Sequence, residues 1–474
     1  MKNVKRFAAL AVAAVMTMAL AACGNSGGGA EEKASSAAEE VSSVVAEVSS
    51  AASEVESVVS EAEETAAGTV QGVTADKILI GNTAATTGAF ATVGVPFNAG
   101  LEAALKEYND AGGFRGAQIE LIHYDDGFDA AQGLTYTKTL VETDKVFALV
   151  GHFGTNTVGA TLDYIKSIGV PMVYAATGIS ALYQEGATGK DACVFPVQPI
   201  YNTEGRVLLA RALAPEADGV GLGGTKIGVI STTDDAGEGM LAGIKRQAEE
   251  GNFDIVYQEV QADADNYSAA VTMLMNSGCD VVIAACNQAP LVKVMNSMRD
   301  AGFDAKVITS YVSASAATLG DMVASGAVSA DRPIYTNAWL DTSTEQGMND
   351  YLGFAAAMSA WEAANNVAPE DTYVLNSYAM AGYLAGNIFI QGLKALDEAG
   401  LDLTWENYIA TLESFEVNLP MGGTLNFANG DRLGIADLAL NTISLEPDET
   451  TGVYALQAVS PIMSLDDVWA TVQQ

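Results

Sequence analysis

Residues 146–177 read VFALVGHFGTNTVGATLDYIKSIGVPMVYAAT and hold two short apolar runs, each followed by a loop of small and polar residues. The runs at residues 146–150 and 170–174 are continuous and rich in β-branched residues, which is typical of buried strands. Between them, residues 155–168 carry apolar side chains at helical spacing. Strand, helix and strand predict a right-handed crossover between parallel neighbours. The two loops should then meet at the carboxyl edge of one sheet, where open α/β sheets bind ligands.

These two loops carry groups that can bind an anion. Thr155 stands where a predicted helix begins, so its hydroxyl and the free backbone N–H groups there can hold a carboxylate, and simple N-capping is the alternative. In YAAT, Ala175 offers a carbonyl oxygen and Thr177 offers a hydroxyl and an N–H, while the two alanines keep the backbone accessible. One wall could thus hold a carboxylate and a neighbouring ammonium group. The candidate residues of the two loops are Phe153, Gly154, Thr155, Ala175, Ala176 and Thr177.

The N-terminus has the pattern of a secretion signal. Basic residues are followed by an apolar run over residues 7–22, and the run ends in Leu-Ala-Ala before Cys23, which resembles the lipobox of bacterial lipoproteins. An uncleaved membrane anchor is the alternative, although the run is slightly short for a spanning helix. We predict a signal peptide at residues 1–23, lipidation of Cys23, and an extracytoplasmic location on the cell membrane.

Residues 24–72 consist mainly of Ser, Ala, Val and Glu, with no aromatic residue, and cannot build a core. Three seven-residue repeats begin at Val41, Val48 and Val55. A flexible acidic tether is one interpretation and a weak helix is the other, because Ser and Val are mediocre helix formers.

The remaining 400 or so residues are too many for one simple core and predict two lobes. Strand and helix patterns alternate from residue 77 and again from residue 226, so we expect an α/β fold of two Rossmann-like lobes. A change of composition near residues 197–199 marks the first passage between the lobes. The predicted boundaries are residues 73–197 and 338–437 for lobe one, and residues 198–337 and 438–474 for lobe two.

Composition and motifs exclude several classes of function. The formal charge is −37, with no basic cluster outside the signal, which disfavours nucleic acid and anionic lipid surfaces as partners. HExxH and GxxxxGK[ST] are absent from the sequence, GxSxG occurs only within the low-complexity residues 24–28, and the histidines are His123 and His152. The acidic loop at Asp125 lacks the spacing of a calcium-binding EF-hand. We therefore predict a monomeric non-enzyme without a cofactor or a metal.

On several of these segments the chain resembles the leucine/isoleucine/valine-binding type of periplasmic solute-binding proteins, which serve ABC importers. The likeness rests on TTGAFATVG, NDAGGFRGAQIELIHYDD, GHFGTNT, YAAT, GEGM and RDAG, and it extends from residue 77 to about residue 442. It implies a type I periplasmic binding protein fold, three hinge crossings and closure of a cleft on the ligand. It also implies that Thr155 and Thr177 bind the carboxylate of an amino acid and that the Ala175 carbonyl binds its amino group.

The chain departs from that family at several ligand-binding positions. Tyr311 stands where a glutamate that binds the ammonium is expected. Three positions at which the family has tyrosines in the cleft carry other residues in this chain. Asp234 and Asp235, after the first strand of lobe two, could supply the missing charge or merely cap a helix. The positions without the expected tyrosine are Val93, Ala236 and Asn287.

The resemblance implies a lipid-anchored receptor that captures an amino acid, of branched-chain type or related, and delivers it to an ABC permease. A receptor for another small carboxylate or amide, a ligand sensor and a secreted hydrolase are the alternatives. The hydrolase is disfavoured because the sequence offers no recognisable pair of nucleophile and base.

Overall fold

The computed structural model describes residues 70–473, apart from residues 343, 450, 451 and 453. The predicted signal peptide, Cys23 and residues 24–69 of the predicted tether lie outside the described residues. Within the described part of the chain, no helix has both the length and the apolar character needed to cross a bilayer.

The folded unit begins at Val70, before the predicted end of the tether. Gln71 Nε2 donates to the backbone carbonyls of Val141 and Val146 at 3.1 and 2.9 Å. The carbonyl of Gly72 accepts from the N–H of Leu79 at 2.8 Å. These hydrogen bonds join residues 71 and 72, the last two residues of the predicted tether, to lobe one.

Deleting residues 24–69 should leave the free energy of unfolding unchanged, because that segment lacks the apolar and aromatic residues of a core. Extending the deletion to residue 72 should lower the free energy of unfolding by about 1–3 kcal/mol, the range for a few lost hydrogen bonds. Urea unfolding of the two truncated proteins measures the difference. Loss of stability in the shorter deletion would mean that the repeats pack on the domain.

Alternating strands and helices build the fold. The strands are β1 Lys77–Ala84, β2 Gln118–Asp125, β3 Ala148–Val150, β4 Met172–Val173, β5 Val194–Phe195, β6 Ile227–Thr232, β7 Ile255–Val260, β8 Val281–Ala285, β9 Lys306–Thr309, β10 Ile334–Ala338, β11 Glu416–Leu419, β12 Gly423–Asn426, β13 Leu438–Ile443 and β14 Leu456–Met463. The helices are α1 Ala91–Asp110, α2 Ala130–Lys138, α3 Thr155–Ile168, α4 Tyr201–Leu213, α5 Asp235–Gly251, α6 Ser268–Ser277, α7 Gln288–Ala301, α8 Ala316–Ala324, α9 Glu345–Asn365, α10 Ser377–Glu398, α11 Trp405–Leu412 and α12 Leu465–Val472.

Two sheets organise the molecule, and each defines a lobe. In lobe one the strand order is β2-β1-β3-β4-β5, and all neighbours are parallel. In lobe two the order is β14-β13-β10-β9-β8-β6-β7, parallel from β10 to β7, with β13 and β14 added antiparallel. The predicted α/β fold of two Rossmann-like lobes is confirmed.

The chain passes between the lobes within three described segments. After β5 in the first sheet, the next strand, β6, lies in the second sheet. After β10 the chain returns, because α9 and α10 pack on α1 of lobe one. After the hairpin of β11 and β12, the strand β13 rejoins the second sheet. The segments that contain these passages are residues 195–227, 338–345 and 426–438.

Two glycines, Gly100 on α1 and Gly382 on α10, let these two helices approach closely. A Cβ at Gly100 would lie 1.9 Å from the carbonyl oxygen of Ala379, and one at Gly382 would lie 1.8 Å from that of Phe97. Only residues without a side chain fit at these two crossing points.

Candidate ligand-binding cleft

A cavity of about 860 Å³ lies between the two lobes. Its volume falls toward the upper end of the range of about 300–1,000 Å³ that is usual for small-molecule sites. Aromatic residues from both lobes and from the crossings contribute to its wall, which favours a ligand with a sizeable apolar part. They are Phe90, Phe97, Phe128, Phe153, Tyr201, Tyr311, Trp339, Tyr351, Tyr378 and Tyr454.

The loops after β3 and β4 lie side by side, as the sequence predicts. Phe153 and Ala176 form a parallel bridge that extends the pairing of the two strands. The N–H of Ala176 donates to the carbonyl of His152 at 2.8 Å. Gly154 has a φ of 98°, and a Cβ there would lie 3.0 Å from the Phe128 ring, so the loop requires glycine before Thr155.

Thr155, Thr177 and Tyr201 form a hydroxyl cluster. The Thr155 and Thr177 hydroxyls lie 3.0 Å apart, and the Tyr201 hydroxyl lies 3.3 and 3.4 Å from them. Thr155 and Tyr201 line the cavity, whereas Thr177 is buried behind them. Burial raises the pKa of Tyr201. The Tyr201 phenol is therefore neutral at physiological pH, and the hydroxyls of Thr155 and Tyr201 can donate to an anion in the cavity.

Sequence reasoning missed Tyr201. The residue belongs to PVQPIYNTEG, the segment that the sequence analysis treated only as a boundary between lobes. Its N–H donates to the carbonyl of Gly178 at 2.6 Å, which seats the start of α4 against the loop after β4. Tyr201 lies in the segment where the chain first passes between the lobes, next to the cleft, and this position is the signal that could have identified it.

Four predicted residues do not line the cavity. Ala175 is fully buried, and its carbonyl accepts from the N–H of Thr177 at 2.9 Å. Thr177 itself reaches the site only through the hydroxyl cluster. Ala236, in the first turn of α5, is fully buried in the core. Asp235 is exposed at the first turn of α5 and is not among the residues of the cavity wall.

Asp234 has the capping role that was the alternative to ligand contact. Its carboxylate accepts from the N–H of Gly237 at 2.9 Å and from the hydroxyl of Thr232 at 2.7 Å. Because that carboxylate satisfies the N-terminus of α5, it is not directed at the cleft.

The other predicted residues lie in the cavity wall. They are Val93, Phe153, Gly154, Thr155, Ala176, Asn287 and Tyr311. Tyr311 joins the wall to the first crossing, because its hydroxyl donates to the carbonyl of Pro199 at 2.9 Å and accepts from Gln198 Nε2 at 3.3 Å.

A buried carboxylate, Glu204, lies behind Tyr311. It accepts from the Ser310 hydroxyl at 2.6 Å, from the N–H of Tyr311 at 3.0 Å and from Asn337 Nδ2 at 3.3 Å. Burial raises the pKa of Glu204 to about 7, and the three hydrogen bonds oppose that rise. Sequence reasoning missed Glu204, since nothing in the pattern of a polar residue in a helix distinguishes it.

Several polar atoms of the wall are buried and have no hydrogen-bond partner among the described residues. Burying such an atom costs free energy, so each is a candidate to bond a ligand. They are Gln198 Oε1, Asn287 Nδ2, Asn337 Oδ1 and Ser377 Oγ.

The wall contains no lysine, arginine or histidine among its described residues, and its acidic members are Asp341 and Asp448. A ligand carboxylate would therefore be held by neutral hydroxyl and N–H donors rather than by an ion pair. The Thr155 end of the cavity offers such donors in the hydroxyls of Thr155 and Tyr201, and Asn287 Nδ2 and Ser377 Oγ are further donors in the wall.

Direct hydrogen bonds join the lobes beside the cavity. The Thr92 hydroxyl of lobe one donates to Gln288 Oε1 of lobe two at 3.0 Å. The Tyr378 hydroxyl donates to the carbonyl of Val312 at 3.2 Å. These bonds hold the lobes together across the cleft.

The two histidines have structural contacts. His152 is fully buried against the hydroxyls of Thr137 and Thr161, and burial lowers its pKa to about 3. His123 lies within hydrogen-bond distance of Asn82, Thr86 and Asn98. In the described part of the chain, no group of three or more His, Cys, Asp or Glu side chains is placed to hold a metal ion.

The model of the family described as "Periplasmic binding protein" matches residues 77–446. This chain belongs to that family. Among curated relatives, it is 26% identical over 233 residues to an amino acid binding protein of Pseudomonas aeruginosa and 28% identical over 233 residues to Leu/Ile/Val-binding protein homolog 1 of Brucella suis. Each match covers 49% of this chain and 60% of the relative, so the chain spans less than two thirds of the relatives' length.

The solved structures are similar in fold. The fatty acid ABC transporter substrate-binding protein from Thermomonospora curvata matches with a TM-score of 0.69 and 20% identity, over 84% of this chain and 95% of that protein. The resemblance to the leucine/isoleucine/valine-binding type is thereby confirmed at the level of family and fold.

Proposed function

We propose that this protein is the extracytoplasmic, lipid-anchored substrate-binding component of an ABC importer. It captures a small amino acid, of branched-chain type or related, between its lobes and delivers it to a membrane permease. The protein performs no chemistry on the ligand. The names of the curated relatives support the amino-acid class, and the name of the fatty-acid relative keeps an apolar carboxylate as the second candidate.

The observation that carries this proposal is a cavity between two lobes with the hydroxyls of Thr155 and Tyr201 in its wall. The N-terminus of α3 adds backbone N–H groups at Thr155, where a carboxylate is favoured by the helix dipole. Contacts to both lobes would shift an equilibrium between open and closed cleft toward the closed state. We further propose that residues 73–197 with 338–437, and residues 198–337 with 438–474, move as the two bodies of that closure.

Mass spectrometry of the small molecule that copurifies with the protein, followed by titration calorimetry of that molecule, tests this function. We expect a carboxylate-bearing amino acid or a close relative that binds one site per chain. A ligand without a carboxylate, or hydrolysis of the ligand during the titration, would contradict the proposal.

Cys23→Ala should abolish membrane anchoring, because the thiol of Cys23 would be the site of lipid attachment after LAAC. We expect the variant in the soluble fraction or as an unprocessed precursor, detected by fractionation and by the mass of the intact protein. Cys193→Ala is the matched control, since Cys193 is a buried free cysteine of the folded unit. A Cys23→Ala variant that keeps its lipid would refute the assignment.

A further inference from the structure

Two amide side chains at the crossings between the lobes have a carbonyl oxygen that lacks a hydrogen-bond partner among the described residues. They are Gln198 Oε1 and Asn337 Oδ1. Gln198 is 8% exposed, Asn337 is 1% exposed, and both residues line the cavity. A buried oxygen in this state costs free energy unless it accepts from an N–H or O–H group.

The hydrogen-bond network determines which end of the Gln198 amide is unpartnered. The Tyr311 hydroxyl has a single hydrogen, which it donates to the carbonyl of Pro199 at 2.9 Å. Its oxygen must therefore accept from the Gln198 amide at 3.3 Å, which places Nε2 toward Tyr311. The carbonyl oxygen of Gln198 is left as the acceptor without a partner.

Asn337 is oriented in the same way by Glu204. Glu204 Oε1 already accepts from the N–H of Tyr311 at 3.0 Å, so it acts as an acceptor toward Asn337 as well. Asn337 Nδ2 lies 3.3 Å from this oxygen, and its Oδ1 is therefore the unpartnered end. Two acceptors with a carboxylate behind one of them favour a donor group that carries positive charge.

We infer that Gln198 Oε1 and Asn337 Oδ1, with Glu204 behind them, bind an amine or ammonium group of the ligand. This inference rests on the proposed function and narrows its ligand to amine-bearing acids with an apolar side chain. Gln198 and Asn337 at the crossings would then bind the ammonium group, the role for which the sequence analysis considered Asp235.

One chain segment contributes to both polar ends of the cavity. Tyr201 of the hydroxyl cluster and Glu204 are one helical turn apart on α4, and Gln198 lies three residues before Tyr201. Glu204 is surrounded by its hydrogen-bond partners Ser310, Tyr311 and Asn337 and by the phenol of Tyr201. This segment would thus contact the carboxylate through Tyr201, beside Thr155 of lobe one, and the amine through Gln198, beside Asn337 of the second crossing.

Paired compounds test the inference. The mature protein, freed of copurified ligand by unfolding and refolding, is titrated with L-leucine and L-phenylalanine and with their deaminated analogues isocaproate and hydrocinnamate. We expect the amine-bearing member of at least one pair to bind about tenfold or more tightly than its analogue, since a lost partner leaves buried acceptors unpaired. Gln198→Met and Asn337→Leu should each reduce that preference to about threefold or less.

The matched control is Gln391→Met, which removes a half-buried glutamine outside the cavity wall whose amide bonds only the backbone of Asn418, and it should preserve the preference. Asn337 also supports Glu204, so Gln198→Met provides the test if the Asn337 variant does not fold. Deaminated acids that bind as tightly as the amines, in a manner that depends on Thr155, would overturn the inference and leave the proposed function standing. Failure of every compound to bind would contradict both.

Discussion

Replacement of Thr155 by valine should weaken ligand binding about 10- to 100-fold, which corresponds to about 1.5–3 kcal/mol for a hydrogen bond to a charged group. Valine keeps the shape of threonine and removes the hydroxyl that lines the cavity. The loss is incomplete because the backbone N–H groups at the start of α3 remain. Titration calorimetry with the tightest-binding compound measures the change.

Two further variants distinguish a hydroxyl that contacts the ligand from one that only holds the contacting hydroxyls in place. Thr177→Val should have a smaller effect on affinity, because the Thr177 hydroxyl is buried and reaches the cavity only by bonding Thr155 and Tyr201. Thr135→Val is the matched control, since the Thr135 hydroxyl is exposed and bonds only the carbonyl of Ala131 in its own helix. If Thr155→Val binds like the Thr135 variant, the hydroxyl cluster does not bind the ligand.

Arg432→Met should lower the free energy of unfolding by about 3 kcal/mol, the lower end of the range for breaking a buried ion pair. Arg432 is 1% exposed and pairs with Glu413, which keeps partial access to solvent. It also donates to the carbonyl of Ala192 at 2.8 Å and lies over the rings of Phe195 and Phe427. The variant removes all of these contacts in the third segment that crosses between the lobes.

Thermal and urea unfolding of Arg432→Met measure this loss against Arg246→Ala. Arg246 is exposed and pairs with Glu250 one turn away, an arrangement that contributes about 0.3–0.5 kcal/mol. Equal stability of the two variants would show that the third crossing does not depend on the buried arginine. Arg432 does not line the cavity, so ligand affinity below the melting temperature should remain near that of the natural protein.

The fold could be predicted because its signals are local. Residues 155–168 were predicted as a helix from apolar spacing alone, and α3 has those bounds. The adjacent strands were predicted too long. β3 keeps three of the five predicted residues and β4 keeps two, and Tyr174, with a φ of 58°, ends β4 before its last predicted residue. Single residues in the left-handed region are not visible in a pattern of apolar runs.

The candidate site was only partly predictable because its side chains come from distant segments. Thr155 follows its own strand and was found from the loop after it. Glu204 and Asn337 are far apart in sequence, yet they share a hydrogen bond of 3.3 Å. Asp235 was chosen because it follows a strand of lobe two, but at the first turn of α5 it is exposed, near Gly159 of lobe one, and is not part of the cavity wall.

The sequence by itself determined the α/β alternation, the family resemblance and the loop that carries Thr155, because periodicity and turn chemistry act between neighbours along the chain. Only the tertiary structure decided that the Tyr201 hydroxyl lies beside the hydroxyls of Thr155 and Thr177, and that Ala175 is buried outside the cavity wall. It also decided that the carbonyl oxygens of Gln198 and Asn337 have no hydrogen-bond partner among the described residues. These outcomes depend on which groups meet when the lobes and their crossings pack. Hydrogen bonds between such groups select side-chain orientations that no local pattern encodes.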